Sequence, residues 1–352
     1  MRLVLFVDMD SFYASCELLR HPELRGKAFV VGTADEQHKE RGVVETASYS
    51  AKKAGIRSAM PVATAIKIKP DVIYVPSDHD YYDTMSSMVM NLLKAYAFKT
   101  EVLSVDEAAL DLGDTDVKKA EALAKKIKGQ ISEQLRLPCT IGVSTGKVLA
   151  KMVCDAAKPD GLMLVPQNKV MEFLAGKEVD RIPGVGPKTR ERLEKIGITT
   201  VRDLAISNPS TVMNVVGSFG AELCQLANGH DNSEVIDVWT VLSIGRERTL
   251  ENKTVDFKEI DKMLDGLSLE VHNELKRQNF RYRTVTVKGR YNDFTEKLKS
   301  KTLQGYTDSL EVLKSTAHEL IREIVADKPV RKVGVRVSSF EGEAEKKQKR
   351  LF

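Results

Sequence analysis

The stretch Leu3-Val4-Leu5-Phe6-Val7-Asp8-Met9-Asp10-Ser11-Phe12-Tyr13-Ala14 decides how this chain is read. Leu3–Val7 is an apolar run of strand character, and acids arrive at its end. Ser11 is a helix-capping residue type, so the segment predicts a strand over 3–8 followed by a helix to about Leu19. A second stretch, Leu103-Ser104-Val105-Asp106-Glu107-Ala108, reads as two acids inside another strand run, Glu101–Leu112. Ionised carboxylates are costly to bury alone. Two unit charges ~4 Å apart repel by about 4 kcal/mol at an effective dielectric near 20. If the two strands are neighbours, something cationic must offset that repulsion. A divalent ion does so best, and three carboxylates that leave positions open suit Mg²⁺ with a phosphate substrate. The alternative places Asp8, Asp10 and Asp106 at strand ends, solvated or capping helices. Asp10, directly ahead of Ser11, is the first to suspect of this.

Around these stretches, strand and helix patterns alternate. Strands are expected at Ala28–Val31, Val72–Val75, Thr140–Val143 and Leu162–Val165, and helices at Thr46–Gly55, Tyr81–Phe98, Lys118–Leu135 and Lys147–Ala157. Such alternation around one sheet makes an α/β or α+β domain ending near residue 166. Short helices with glycine punctuation follow from Lys169 to about Glu234, then an extended linker, 235–242. Residues 243–340 read strand, helix, strand, strand, helix, strand, with helices Phe257–Gln278 and Ser309–Ala326.

The chain has 352 residues, 42% hydrophobic and 30% charged. That is enough for two or three folding units and excludes a mostly disordered chain. Neither a signal peptide nor a stretch of ~20 apolar residues is present, so a cytoplasmic protein without membrane segments is expected. Cys16, Cys139, Cys154 and Cys224 lie far apart, which argues against zinc or redox motifs and for buried thiols. Net charge is only +4, but Arg281–Lys301 holds seven bases against Asp293 and Glu296, pointing to a polyanion partner.

Together the two acidic stretches closely resemble the Y-family (translesion) DNA polymerases of polymerase IV type. Thr46-Ala47-Ser48-Tyr49, Ala157-Lys158-Pro159-Asp160-Gly161 and Ile182-Pro183-Gly184-Val185-Gly186 match in the family's order. The resemblance runs over nearly the whole chain. It implies an α+β multidomain right-hand polymerase with palm (1–10 and 78–166), small fingers (11–77), a helical thumb (167–234) and a C-terminal four-stranded α/β little-finger domain (243–340). Asp8, Asp106 and Glu107 become catalytic acids that hold two Mg²⁺ ions with help from the Met9 carbonyl. Primer-template DNA and a dNTP become the partners, the chain acting as a monomer.

The nucleotide pocket implied by the resemblance comprises Phe12, Tyr13, Thr46, Tyr49, Lys52 and Lys158. Tyr13 would be the steric gate against a ribose 2′-hydroxyl, with Phe12 suited to a core position. Tyr49 and Lys158 would contact the triphosphate. Lys52 departs from the arginine of many members and loses its bidentate fork. Ala109 departs from an aromatic that commonly follows the Asp-Glu-Ala stretch.

Gly184, Val185, Gly186 and Lys188 fit a helix–hairpin–helix, in which glycines let backbone N–H groups approach a phosphate. Val216–Gly220 is a weaker second copy. Alternation puts Arg281, Arg283 and Arg331 on solvent faces of the last domain, which begins with the strand residues up to Arg246, and the resemblance implies that this domain lies along the DNA backbone. The tail, 341–352, ends Gln348-Lys349-Arg350-Leu351-Phe352 and resembles a sliding-clamp-binding peptide through Gln348, Leu351 and Phe352. Two rival readings remain: a catalytically silent DNA-binding or clamp-associated scaffold, and a palm-type nucleotide cyclase. The cyclase needs neither the hairpin motif nor the basic domain.

Overall fold

The structure, a computed structural model, describes residues 1–237, 240–325 and 328–342. The chain divides into two compact units, Met1–Val238 and Trp239–Leu351. Among the described residues no helix is long and apolar enough to cross a membrane.

The first unit begins β1 (Arg2–Met9), α1 (Phe12–Arg20), β2 (Phe29–Gly32), β3 (Val44–Ala47), α2 (Tyr49–Lys53), α3 (Val62–Ile68), β4 (Ile73–Pro76) and α4 (His79–Lys94). It continues with β5 (Lys99–Val102), β6 (Glu107–Asp114), α5 (Val117–Gln130), β7 (Cys139–Ser144), α6 (Lys147–Ala157) and β8 (Leu162–Leu164). Short helices follow: α7 (Gln167–Leu174), α8 (Pro187–Glu194), α9 (Val201–Ile206), α10 (Pro209–Val216) and α11 (Phe219–Ala227).

The main sheet runs β5-β6-β1-β7-β8, with β1 antiparallel to both its neighbours. Strand side chains alternate between faces. Leu3, Leu5, Val7 and Met9 therefore join the core built with α1, α4 and α5. Val4 and Phe6 turn the other way, onto Ala109, Ala150, Cys154 and Val235. Asp8 inherits that second face, the one covered by α6. The helix can lie this close because residue 142 is glycine: a Cβ there would stand 2.2 Å from Cys154 N and 2.3 Å from Ala150 O.

A smaller sheet, β3-β2-β4, packs Val30, Val44, Ala47 and Tyr74 against α2 and α3. Helices α7–α11 share a core with one side of α6.

Three local expectations are corrected. The run Glu101–Leu112 is two strands, because the chain turns back at 103–106, where Leu103 N and Ser104 N both donate to Glu107 O (3.0 and 3.3 Å). Thr46–Gly55 is helix over only half its length, because Val44–Ala47 is held by β2 and the helix starts only after Ser48, whose hydroxyl caps Ala51 N. The linker does not open at 235: Val235 is buried and Ile236 N donates to Glu101 Oε2 at 2.8 Å.

The second unit has the order expected from its pattern: β9 (Ser243–Thr254), α12 (Phe257–Gln278), β10 (Tyr282–Tyr291), β11 (Glu296–Thr307), α13 (Leu310–Val325) and β12 (Val330–Phe340). Its antiparallel sheet runs β11-β10-β12-β9. The two helices bury Leu264, Leu267, Val271, Ala317 and Ile321 against Val285, Val287, Val333, Val335 and Val337.

Candidate active site

Pairing between β1 and β6 sets Asp8 opposite Glu107, and pairing with β7 sets it opposite Thr140. Asp106 lies in the turn that leads into β6, and its carbonyl accepts from Met9 N at 2.9 Å. The three acids thus gather at one end of the sheet, at strand termini rather than strand interiors. Ser104 Oγ donates to Asp106 Oδ1 at 2.6 Å.

Two lysines supply positive charge. Lys158 Nζ contacts Asp8 Oδ2 at 2.5 Å, and Lys151 Nζ contacts Glu107 Oε1 at 2.6 Å. Burial still pushes the Asp8 carboxyl up to about 7, despite Lys158. Burial also raises Asp106 above the usual carboxylate range, with Glu107 adding to the shift. Burial acts to raise Glu107 as well, but Lys151 outweighs it and the net shift is downward. Lys158 is shifted upward because Asp8 outweighs the cost of its own burial.

Among the described residues no three acidic, His or Cys side chains stand close enough together to hold an ion as they are. The chemistry of the donors nonetheless fits a divalent cation. All are hard oxygen ligands, and two of the carboxylates are raised by burial, a cost that a bound cation would offset.

Lys151 is a residue that sequence reading missed. It stands one helical turn after Lys147 on α6, its Nζ 4.9 Å from the Phe6 ring centroid. Ala109, the small residue beside the acids, is fully buried opposite Phe6 in the strand register.

Tyr49 and Lys52 share one side of α2. Tyr49 donates its hydroxyl to Asp10 Oδ1 at 3.1 Å, and Lys52 Nζ donates to Ser11 Oγ at 2.7 Å. The expected role of Ser11 is corrected: its side chain caps no N–H of α1, and the residue adopts a positive φ of 46°. Burial pushes the Tyr49 phenol up to about 12, with Asp10 adding to the shift, so the hydroxyl stays a donor. Burial and the neighbouring Lys158 lower the Lys52 ammonium. Lys158 follows the last residue of α6 and opens a loop that turns sharply back: a Cβ on Gly161 would lie 1.9 Å from Ala157 O. Asp10 is neither solvated nor a helix cap; it is 1% exposed and engages Tyr49, Thr140 and Asp160.

Tyr13 stacks on Tyr82 with centroids 4.3 Å apart and meets His79 edge-on at 5.8 Å. Burial raises its phenol, and Asp106 contributes to the shift. Phe12 is buried in the main core, as its expected core position has it. Thr46 is half-buried on β3, paired with Val31.

In the helix–hairpin–helix segment Gly184, Gly186 and Lys188 are exposed. Val185 departs from expectation: its side chain is buried and its N–H is spent on Ile182 O at 3.0 Å. In the second unit Arg246, Arg281, Arg283 and Arg331 are exposed. Arg246 and Arg248 lie beside Glu270, and Arg281 pairs with Glu341 at 2.8 Å. Arg283 and Arg331 lie over the rings of Tyr306 and Phe294. Gln348, Leu351 and Phe352 lie outside the described residues.

Comparison with known proteins adds independent findings. The impB/mucB/samB family profile matches residues 7–155, its C-terminal-domain profile 241–351, and the family's HHH-motif profile 168–198. A DNA polymerase IV of Methanoculleus marisnigri is 41% identical over 97% of this chain and 95% of its own length. DNA polymerase IV 2 of Methanosarcina mazei is 38% identical over 96% and 92%. Among solved structures, a Y-family polymerase chimera, Dbh-Dpo4(243-245)-Dbh, is similar with TM-score 0.90 at 33% identity, covering 96% of this chain and 99% of that one. An insertion ternary complex of Dbh DNA polymerase is similar with TM-score 0.68 at 33% identity, covering 96% and 98%.

Proposed function

The chain belongs to the Y-family DNA polymerases of polymerase IV type, and we propose that Asp8, Asp106 and Glu107 are the acids at which it works. It is a DNA-directed DNA polymerase, a template-directed nucleotidyltransferase, and low-fidelity bypass of damaged template is a general property of its family. The observation that carries the site assignment is the cross-strand opposition of Asp8 and Glu107, with Asp106 bonded beside them to Met9.

The polymerase relatives imply a divalent metal. Our finer reading is two Mg²⁺ held by Asp8, Asp106, Glu107 and the Met9 carbonyl. When bound, such ions lower the pKa of a primer 3′-hydroxyl and neutralise the triphosphate and departing pyrophosphate.

The rest of the work falls to side chains. Lys158, at the head of its loop, exchanges Asp8 for a phosphate oxygen of the incoming dNTP. Tyr49, its hydroxyl hydrogen given to Asp10, contacts the same triphosphate, and Lys52 adds charge as a point cation. Tyr13, backed by Tyr82, lies under the sugar and leaves no room for a 2′-hydroxyl. Binding of this kind places the primer oxygen in line with the α-phosphate, and positioning is most of what such a reaction asks.

In this reading residues 1–10 and 78–166 are the palm, 11–77 the fingers, 167–234 the thumb and 243–340 the little finger. Backbone N–H groups near Gly184 and Gly186, with Lys188, meet a duplex phosphate without reading sequence. Arg283 and Arg331, with Arg246 and Arg281 once freed from their acids, lie along the backbone. The enzyme acts as a cytoplasmic monomer, and its tail docks Leu351 and Phe352 into a sliding clamp.

Primer extension tests the core of the reading. Wild-type protein with Mg²⁺ should extend a primer on undamaged template and past an abasic site. Omission of Mg²⁺, or Asp106→Ala, should abolish both. Extension that survives Asp106→Ala would overturn the assignment.

A further inference from the structure

The second acid of the Asp8-Met9-Asp10 segment has no part in the chemistry described above, yet it is the more deeply buried of the two aspartates, 1% exposed against 3% for Asp8. Its carboxylate is fully engaged. Oδ1 accepts from the Tyr49 hydroxyl at 3.1 Å, and Oδ2 from Asp160 N at 2.8 Å. Thr140 Oγ1 stands 3.1 Å from both oxygens and shares its one hydrogen between them. The main chain is fixed as well: Asp10 N donates to Pro138 O at 3.0 Å, and Ser15 Oγ donates to Asp10 O at 2.6 Å.

Those donors come from three separate pieces of chain. Tyr49 opens α2 beside the small sheet, Thr140 belongs to β7 of the main sheet, and Asp160 lies in the loop two residues past Lys158. Gly161 N reaches the same threonine hydroxyl at 3.4 Å. Removing a carboxylate from water is costly unless directed hydrogen bonds replace the lost solvent, and bonds to an ionised acceptor are the strong ones. A carboxylate placed so is an anchor for whatever donates to it. Here two of the three donors belong to the arms that carry Tyr49 and Lys158.

We infer that Asp10 is a positioning residue for the incoming nucleotide: it ties the Tyr49 hydroxyl and the Lys158–Gly161 loop to one point, so that the groups meeting the triphosphate are set by a shared anchor. This rests on the reading of Tyr49 and Lys158 given under Proposed function. Asp10 itself touches neither the nucleotide nor an ion.

Single-nucleotide incorporation by the full chain tests it, with wild type, Asp10→Asn, Tyr49→Phe and the double variant. Asp10→Asn keeps size and one acceptor oxygen but turns the other into a donor. The expected result is a rise in KM for the dNTP of roughly tenfold with kcat held within about threefold. Primer-template affinity and the half-saturating Mg²⁺ concentration stay at wild-type values. The double variant is no worse than the poorer single variant, because both break one contact. Thr140→Ser, which keeps the shared hydroxyl, behaves as wild type, while Thr140→Val moves KM in the same direction and serves if Asp10→Asn does not fold. A native KM in folded Asp10→Asn overturns the inference. So do effects that multiply in the double variant, or a kcat loss with a changed Mg²⁺ requirement, which would make Asp10 an ion ligand. If wild type extends primers and Tyr49→Phe raises KM while Asp10→Asn does not, the inference alone fails. If Tyr49→Phe leaves KM native, the reading beneath it fails, and the inference with it.

Discussion

Asp8 on β1 and Glu107 on β6 are direct cross-strand partners, two acids facing each other on the same side of an antiparallel pair. Like charges so placed destabilise a sheet. Lys158 and Lys151 offset part of the cost, yet burial leaves the Asp8 carboxyl at about 7. A carboxyl raised in the folded state contributes stability that is present below its unfolded value, near 3.8, and lost as pH rises through about 7. Without divalent ions, then, this group makes stability decline between those values. Thermal melts in chelator should show the decline, and Asp8→Asn should remove it. Mg²⁺ should raise the midpoint near neutral pH in wild type and not in Asp8→Asn. An equal Mg²⁺ effect in both proteins would place the ion elsewhere.

Tyr13 stands on Tyr82 at stacking distance, so its ring has little freedom to yield. Tyr13→Ala should let ribonucleotides in, lowering discrimination by on the order of 10²-fold, the range a pocket achieves against one added hydroxyl. Incorporation of each dNTP and its ribonucleotide, measured separately, decides it. Unchanged selectivity would mean another residue guards the 2′ position.

The legible part of this molecule was the part written in periodicity. Helix Phe257–Gln278 was read at its observed bounds because its apolar residues repeat along a long element. The acids were legible because charge at the end of a buried strand is anomalous. Residues 46–55 were misread because a four-residue strand and a five-residue helix are too short to show a period. Lys151 was invisible because its partner, Glu107, is 44 residues away and only the packing of α6 on the sheet brings the two together. The basic run's reading as a polyanion partner agrees with the DNA polymerase relatives, but its charge balance is legible only in the fold. Counting along the chain found two acids, whereas Lys299 pairs with Glu323 at 2.7 Å and Lys301 with Glu319 at 2.6 Å, both from α13.

Glu101 and Lys147 form an ion pair in the interior, 0% and 5% exposed, with Nζ 2.9 Å from each carboxylate oxygen. Breaking one side leaves an uncompensated charge, so Glu101→Gln should cost about 3–5 kcal/mol. Replacing both, as Glu101→Leu with Lys147→Met, should recover most of that. Urea unfolding of the full chain reads the difference. A single variant as stable as wild type would mean that water reaches Lys147.

The segment Gln348-Lys349-Arg350-Leu351-Phe352 sets two apolar residues after a charged run, the pattern of a clamp-binding peptide. Deletion of Leu351 and Phe352 should abolish stimulation of synthesis by a sliding clamp and leave unstimulated extension intact. Equal loss of both activities would refute a docking role.

The pairing within the second unit also bears on the DNA grip proposed for it. A lysine already matched to a glutamate must give up that pair to meet a phosphate, so it releases fewer counterions than a free base. Lys301 is so matched, whereas Arg283 lies over the Tyr306 ring. Primer-template affinity should fall steeply with salt, and the slope of log K against log salt should drop by about one for Arg283→Ala. Lys301→Ala should leave the slope near its wild-type value. If the two variants change it equally, the ion pairs on α13 do not persist on DNA, and the whole basic run acts as the linear charge count suggested.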